Sequence, residues 1–162
     1  MLSIHSANIS DIPLIRELAY AIWPHAYNTI LSVGQLHYML EWMYSENALA
    51  SQMKEGQQFY LAYEGEKAVG FAAVGPYDTH TYKLHKIYLL SQMQGKGAGR
   101  QLLQFLIDKV KENGASRLLL NVNRQNPAFY FYKKMGFEIK EEVNVDIGEG
   151  YFMNDYVMQL HL

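Results

Sequence analysis

The sequence predicts one α/β domain of the α+β kind over residues 1–162, and three observations carry that expectation. Segments that alternate like strands and segments with helical spacing follow one another in the order strand, helices, three strands, helix, strand, helix, two strands. No repeat, low-complexity tract or Pro/Gly/Ser-rich linker divides them. With 49% of its 162 residues hydrophobic, the chain can bury a core without disulfide or metal staples.

Leu2 to Ala7 alternates apolar and polar residues and reads as an opening strand. Ser10 or Asp11 is expected to cap a helix with Pro13 in its first turn, running through Ile15, Leu18, Ala19 and Ile22 toward Pro24. Leu36, Met39, Leu40 and Met43 place a second helix within Ser32 to Tyr44, and a shorter one is expected from Glu46 to Glu55, before Gly56. Gln58 to Tyr63 and Lys67 to Gly75 form a predicted hairpin around Glu64-Gly65-Glu66. Thr81 to Leu90 is the next strand.

A glycine segment, Gln94 to Gly99, then leads into a helix with Leu102, Leu103, Phe105, Leu106 and Val110 on one side, ended by Asn113-Gly114. Arg117 to Val122 is a leucine-rich strand, Pro127 opens a helix and Gly136 ends it. Phe137 to Val145 and Tyr151 to Leu160 read as a closing antiparallel pair around Gly148 and Gly150.

The formal net charge of -2 and a pI of about 6.3 supply no global basic field for nucleic-acid binding, so no nucleic-acid partner is expected. The chain has no cysteine, which removes disulfides, thiolate metal sites, cysteine nucleophiles and cysteine lipidation together. The segment MLSIHSANISD lacks the features of a secretory signal, and no apolar run reaches the length of a membrane span. A soluble, unprocessed, cytoplasmic protein without membrane attachment is the expectation.

The densest chemical signal is Gln94-Gly95-Lys96-Gly97-Ala98-Gly99-Arg100 between a strand and an amphipathic helix. Three close glycines let the backbone approach a ligand, and free N–H groups at a helix start favour an anion such as a pyrophosphate. The segment is not a Walker loop, because Gly97 rather than Ser or Thr follows Gly95-Lys96, and Arg100 stands where a dinucleotide fingerprint needs its third glycine. Further on comes Asn126-Pro127-Ala128-Phe129-Tyr130-Phe131-Tyr132-Lys133-Lys134-Met135-Gly136-Phe137.

Together the two segments resemble the GNAT family of N-acetyltransferases. Gln94, Gly97 and Gly99 occupy positions of its pyrophosphate-binding signature, and Ala128, Tyr132, Lys134, Gly136 and Phe137 match its later helix and turn. The resemblance spans Gln58 to Val145 and implies a mixed, mainly antiparallel sheet of six to seven strands with helices on both faces. It implies acetyl-CoA as co-substrate, with no metal. The strands ending near Leu90 and Val122 would splay to admit the pantetheine arm, and backbone N–H groups at Leu89 and Leu90 would contact that arm and the thioester oxygen.

On that reading Tyr132 is the candidate acid for the departing thiolate, since an ordinary phenol stays protonated at neutral pH. His85, on the strand entering the glycine loop, is the candidate base; a water chain is the alternative. Asn126 is expected to hold the pantetheine, cap the following helix, or both. Lys96, Arg100 and Lys133 are expected near phosphates, with Gly95 and Ala98 completing the cofactor loop.

Trp23 to Tyr27, Gln35 to Tyr44, Ile87 to Leu89 and Tyr151 to Met158 are similar to bacterial spermine/spermidine acetyltransferases of this family. A polyamine acceptor would then meet Tyr27, Tyr38, Glu41, Trp42 and Asp155. Core packing is the competing role for these aromatics and methionines. The expected reaction is direct acetyl transfer to a primary amine of a small acceptor in a ternary complex. Acetylation of a protein or peptide, and a non-catalytic acyl-CoA sensor, are the alternatives. The terminal strand and exposed aromatics could support a homodimer.

Overall fold

The computed structural model describes residues 1–162. Seven strands, β1 Ser3–Ala7, β2 Gln58–Glu64, β3 Lys67–Pro76, β4 Thr81–Leu89, β5 Arg117–Asn123, β6 Glu138–Gly148 and β7 Tyr151–His161, form one sheet in the order β1-β2-β3-β4-β5-β7-β6. Every neighbouring pair is antiparallel except β4 and β5. Helices α1 Ile12–Tyr27, α2 Val33–Tyr44 and α3 Glu46–Lys54 cover one face; α4 Ala98–Glu112 and α5 Ala128–Lys134 cover the other. The expected mixed, mainly antiparallel sheet with helices on both faces is therefore the observed one.

The sheet separates two cores because alternate side chains of a strand point to opposite faces. Leu102, Leu103, Leu106 and Val110 of α4 pack with Leu118, Leu120 and Met158. On the other face Ile15, Ala19 and Trp23 of α1 and Tyr44 of α2 pack with Phe59 and Phe71. The helical spacings read from sequence are the buried stripes of α1, α2 and α4, except that Met43 and Phe105 are half-buried while Tyr44 and Ile107 are buried.

Strand β6 runs on to Gly148, three residues past the expected end, and both ends of α1 differ from expectation. The first cap is Asn8, whose side chain accepts from the Ser10 N–H while Asp11 accepts from the Asn8 N–H, so a short 3-10 turn precedes α1; Asp11 holds the N-cap position of α1 without a side-chain bond to it. Helix α1 also runs through Pro24 to Tyr27. Proline removes one intrahelical donor but leaves later ones intact, and the Asn28 N–H still bonds the Pro24 carbonyl at 3.1 Å. That extra turn carries Tyr27 to the centre of the molecule.

The geometry that matters most lies where β4 and β5 part. Their parallel pairing covers only Thr81–Leu84 against Arg117–Leu120. Beyond it β4 stays with β3 to Leu89, and β5 stays with β7 to Asn123. A register shift between Ala73 and Val74 of β3 leaves His85 as the extra residue on β4, a bulge that bends the strand at the start of the gap.

Gly70 of β3 controls how closely β4 can approach. A Cβ there would overlap the Tyr88 carbonyl oxygen and lie 2.6 Å from Leu89 Cδ2. Gly70→Ala is expected to push β4 outward and lower stability by about 2 kcal/mol, read by urea denaturation. Wild-type stability in that variant would show that the strand pair yields freely.

Candidate active site

Two clefts meet at the gap. One, of about 440 Å³, is lined from β4 by Leu84 to Leu89, from β5 by Leu120 to Val122, from α1 by His25 and Tyr27, and from α5 by Ala128 and Tyr132. The other, of about 450 Å³, lies on the α1–α3 face under Trp42, Met39, Gln35, Met153 and Asp155. They share Tyr27, Leu84, His85, Lys86, Tyr88 and Asn121. Side chains from both faces reach one opening because the parted strands leave a hole through the sheet.

The gap edge presents free backbone donors. The Leu90 N–H is spent on the Val69 carbonyl at 2.8 Å. Alternation along an antiparallel ladder then turns the Ile87 and Leu89 N–H groups to the opposite edge, facing the gap. The Leu89 and Ile87 N–H groups are thus the free ones at the gap, whereas the Leu90 N–H already has a partner. Leu90 still lines the loop end of the cleft through its side chain.

At that end Gln94, Gly95, Gly97, Ala98, Gly99 and Arg100 surround a further depression with Phe131 and Tyr132. Gly95 (φ 76°) and Gly97 (φ 73°) sit in the left-handed region, and a Cβ on either would meet nothing within 4 Å. Their backbones face open space at the N-terminus of the 15-residue α4, the arrangement that suits a bound anion. Gly99 serves packing instead, 3.6 Å from Phe131 at its would-be Cβ. Lys96 is 3.5 Å from Glu64, so a phosphate would have to compete for it. Arg100 is exposed on the rim. Lys133 lies over the Phe129 ring and lines none of these clefts.

Tyr132 is 8% exposed, and burial followed by the proximity of Tyr27 pushes its phenol upward, so it stays protonated across the neutral range. Asn126 accepts from the Ala128 N–H at 2.9 Å and lines the same cleft, so the capping and cleft roles coexist. The Tyr27 and Tyr88 hydroxyls are 2.9 Å apart and form the wall between the clefts.

Of the expected acceptor residues, Tyr27, Trp42 and Asp155 line the second cleft and two do not. The Tyr38 hydroxyl donates to the Ile147 carbonyl at 2.6 Å, and Gln35 Nε2 donates to the Phe152 carbonyl at 2.7 Å, tying α2 to the β6–β7 hairpin that walls the cleft. Glu41 is exposed and accepts from Tyr20 at 2.9 Å. The sequence reading missed Lys83 and Lys86. Their signal was two lysines three apart on a strand whose other residues are mostly apolar or aromatic, flanking His85.

These charges shape one another. Burial, then Lys86 and Lys83, push His85 down to about 4, too low to hold the proton of an alkylammonium. Burial and then Lys83 bring Lys86 down to about 7. Burial raises Asp155, opposed by Asn121, Arg124 and Lys83. Arg124 holds the hairpin in place by donating to the Val143 and Asp155 carbonyls and to Asn144 Oδ1.

The sign of the pH dependence follows. Between about 7 and the ordinary lysine value the unfolded chain keeps a proton that folded Lys86 has released, so stability climbs with pH there, and the full penalty stands below 7. His85 adds a second loss as pH falls from its ordinary value of 6.5 to about 4. Lys86→Met is expected to raise stability at pH 7 by a few kcal/mol, on the order of 2, and to flatten the alkaline climb in thermal unfolding. An unchanged Tm would mean that Lys86 is solvated.

No group of three or more His, Cys, Asp or Glu is gathered where it could hold a metal, and no helix is long and apolar enough to cross a membrane. The gap in the mixed sheet thus has a glycine-rich helix start at one end and the buried Tyr132 phenol along its wall. Residues 15–137 match the Acetyltransferase (GNAT) family. The chain belongs to that family and is an N-acetyltransferase.

It is 29% identical over 151 residues to the uncharacterized N-acetyltransferase YuaI of Bacillus subtilis (strain 168), covering 91% of this chain and 86% of that protein. Its fold is similar to that of the PaiA N-acetyltransferase from Thermoplasma acidophilum in complex with coenzyme A, with a TM-score of 0.83 at 23% identity over 100% of this chain and 99% of that one. A GNAT family acetyltransferase from Elizabethkingia anophelis with acetyl-CoA bound superposes with a TM-score of 0.68 at 20% identity, over 99% of this chain and 98% of that one.

Proposed function

We propose that this chain transfers the acetyl group of acetyl-CoA to a primary amine of a small acceptor, by direct attack while both substrates are bound. The observation that carries the reading is the parting of β4 and β5 after Leu84 and Leu120, which leaves donors of Ile87 and Leu89 facing a cleft that ends at the glycine loop. The open space beside Gly95 and Gly97 fits a pyrophosphate, and the strand-like gap fits a pantetheine arm.

In this reading Gln94 to Arg100 hold the phosphates, while Asn126 and the β4 edge align the arm. The acceptor enters from the second cleft, past Tyr27 and Tyr88. Its neutral nitrogen bonds to the acetyl carbon, the carbon–sulfur bond breaks, and Tyr132 gives its proton to the departing sulfur. The backbone donors of the β4 edge bear the charge that gathers on the carbonyl oxygen. The proton lost by the amine leaves through water, with neutral His85 as a hydrogen-bonding neighbour rather than the base that stores it. The Tyr132 phenolate recovers a proton from the same water path.

A polyamine acceptor is supported by Tyr27, Trp42 and Asp155, but it would bring its cations against Lys83 and Lys86. The test is steady-state release of CoA from acetyl-CoA with spermidine, spermine, amino acids, aminoglycosides and lysine-containing peptides. Turnover with one class upholds the transfer reading and names the acceptor class. Tight acetyl-CoA binding with no turnover by any amine would replace it with a sensor.

A further inference from the structure

We propose that the acceptor carries a carboxylate beside its amine, and that Lys86, assisted by Lys83, binds this carboxylate at the inner end of the acceptor cleft. The proposal rests on the reading of that cleft as the acceptor side of an acetyl transfer.

Lys86 is 4% exposed, yet no carboxylate lies within ion-pair distance of it. Its ammonium has one polar neighbour, Gln57 Oε1 at 3.5 Å, and otherwise faces the rings of Phe59 and Tyr44 at 5.4 and 5.6 Å. A buried ammonium with so little compensation is costly in a chain whose net charge is -2, where an acidic neighbour would be easy to supply.

The cleft as a whole is short of negative charge. Lys83 and Lys86 line it with one carboxylate, Asp155, which accepts from Asn121 Nδ2 at 3.5 Å. One further buried donor along its wall, Trp23 Nε1, lacks a hydrogen-bond partner. A ligand carboxylate would supply acceptors to the unmatched ammonium, and the charge-assisted bonds so formed are the strong kind.

Position supplies the rest. Lys86 lies on the β4 segment from Leu84 to Tyr88 that lines both clefts, one residue past the bulge at His85. A carboxylate anchored there leaves an amine one or two bonds away close to the boundary formed by Tyr27 and Tyr88. A polyamine offers this site nothing but like charge.

The experiment compares CoA release from a panel of L-amino acids, each paired with its carboxamide, and from spermidine, using wild-type protein, Lys86→Met and Lys86→Gln. Wild type is expected to favour at least one carboxylate over its carboxamide by about tenfold or more in kcat/KM, mostly through KM. Both variants should lose most of that preference while still turning over the carboxamide.

Carboxamides or spermidine used as well as the matched carboxylates, or a preference that survives in both variants, would overturn the proposal. Calorimetric titration of the CoA-loaded protein with the N-acetyl amino acids separates this failure from failure of the transfer reading. Binding of a carboxylate that Lys86→Met abolishes upholds the anion site even without turnover, and no binding by any carboxylate overturns it.

Discussion

Tyr132→Phe is expected to lower kcat by about 10²- to 10³-fold while leaving acetyl-CoA affinity within a few-fold of wild type. The ring of Tyr132 belongs to the core on the α4–α5 face, where it packs against Phe137 and Phe131, and phenylalanine preserves that packing. What the substitution removes is the hydroxyl inside the gap. A thiolate leaving without a proton in a largely buried cleft develops unbalanced charge, whereas burial keeps this phenol protonated and ready to donate.

The same burial predicts that kcat shows no loss attributable to ionised Tyr132 between about pH 6 and pH 9. Single-turnover measurements of wild type and variant across that range decide the matter. Equal rates at every pH would remove Tyr132 as the acid and leave solvent to protonate the sulfur.

Gly97→Asp is expected to weaken CoA binding by about 10²-fold. Gly97 caps α4 with φ of 73°, and a Cβ there meets nothing within 4 Å, so crowding by the protein is not the cause. Two effects remain. Left-handed backbone costs an L residue about 1 to 2 kcal/mol, and a carboxylate beside a pyrophosphate is repelled by a further few kcal/mol, about 2 after solvent screening.

Gly97→Asn separates them, because asparagine is nearly the same shape, tolerates the left-handed region and carries no charge. Calorimetric titration with CoA should show a loss of about tenfold or less for asparagine and the larger loss for aspartate. Equal affinities for the two variants would mean that the pyrophosphate lies elsewhere.

The cofactor half of the site was legible in the sequence because its contacts are local. Gln94 to Arg100 are consecutive, and their glycines announce positive φ and a helix start without help from any other element. Ala128 to Phe137 is likewise one helix and its exit turn, so Tyr132 could be named from its motif. Leu90 shows the limit: which N–H on the strand stays free depends on the partner strand, and Val69 takes this one.

The acceptor half was not legible because it is assembled from distant segments. Tyr38 and Glu41 share a helix with Trp42, yet the hairpin tip claims the Tyr38 hydroxyl and Tyr20 claims Glu41, so of these three only Trp42 lines the cleft. His85 looked like a base by position. Lys83 and Lys86 flank it on the same strand and could be seen there, but the burial that weakens it most depends on the bulge and on packing, which have no signature in a single strand.

By itself the sequence determined the order and type of the elements, the family, the glycine loop and the identity of Tyr132, since each follows from neighbours along the chain. Only the tertiary structure decided that β4 and β5 part to open the sheet, that Tyr27 crosses toward Tyr132, and that Lys86 is buried without a counter-charge. Those features depend on the register of strands far apart in sequence and on what the interior withholds from a charge. Hydrophobic periodicity states that a residue is inside, but not what it meets there.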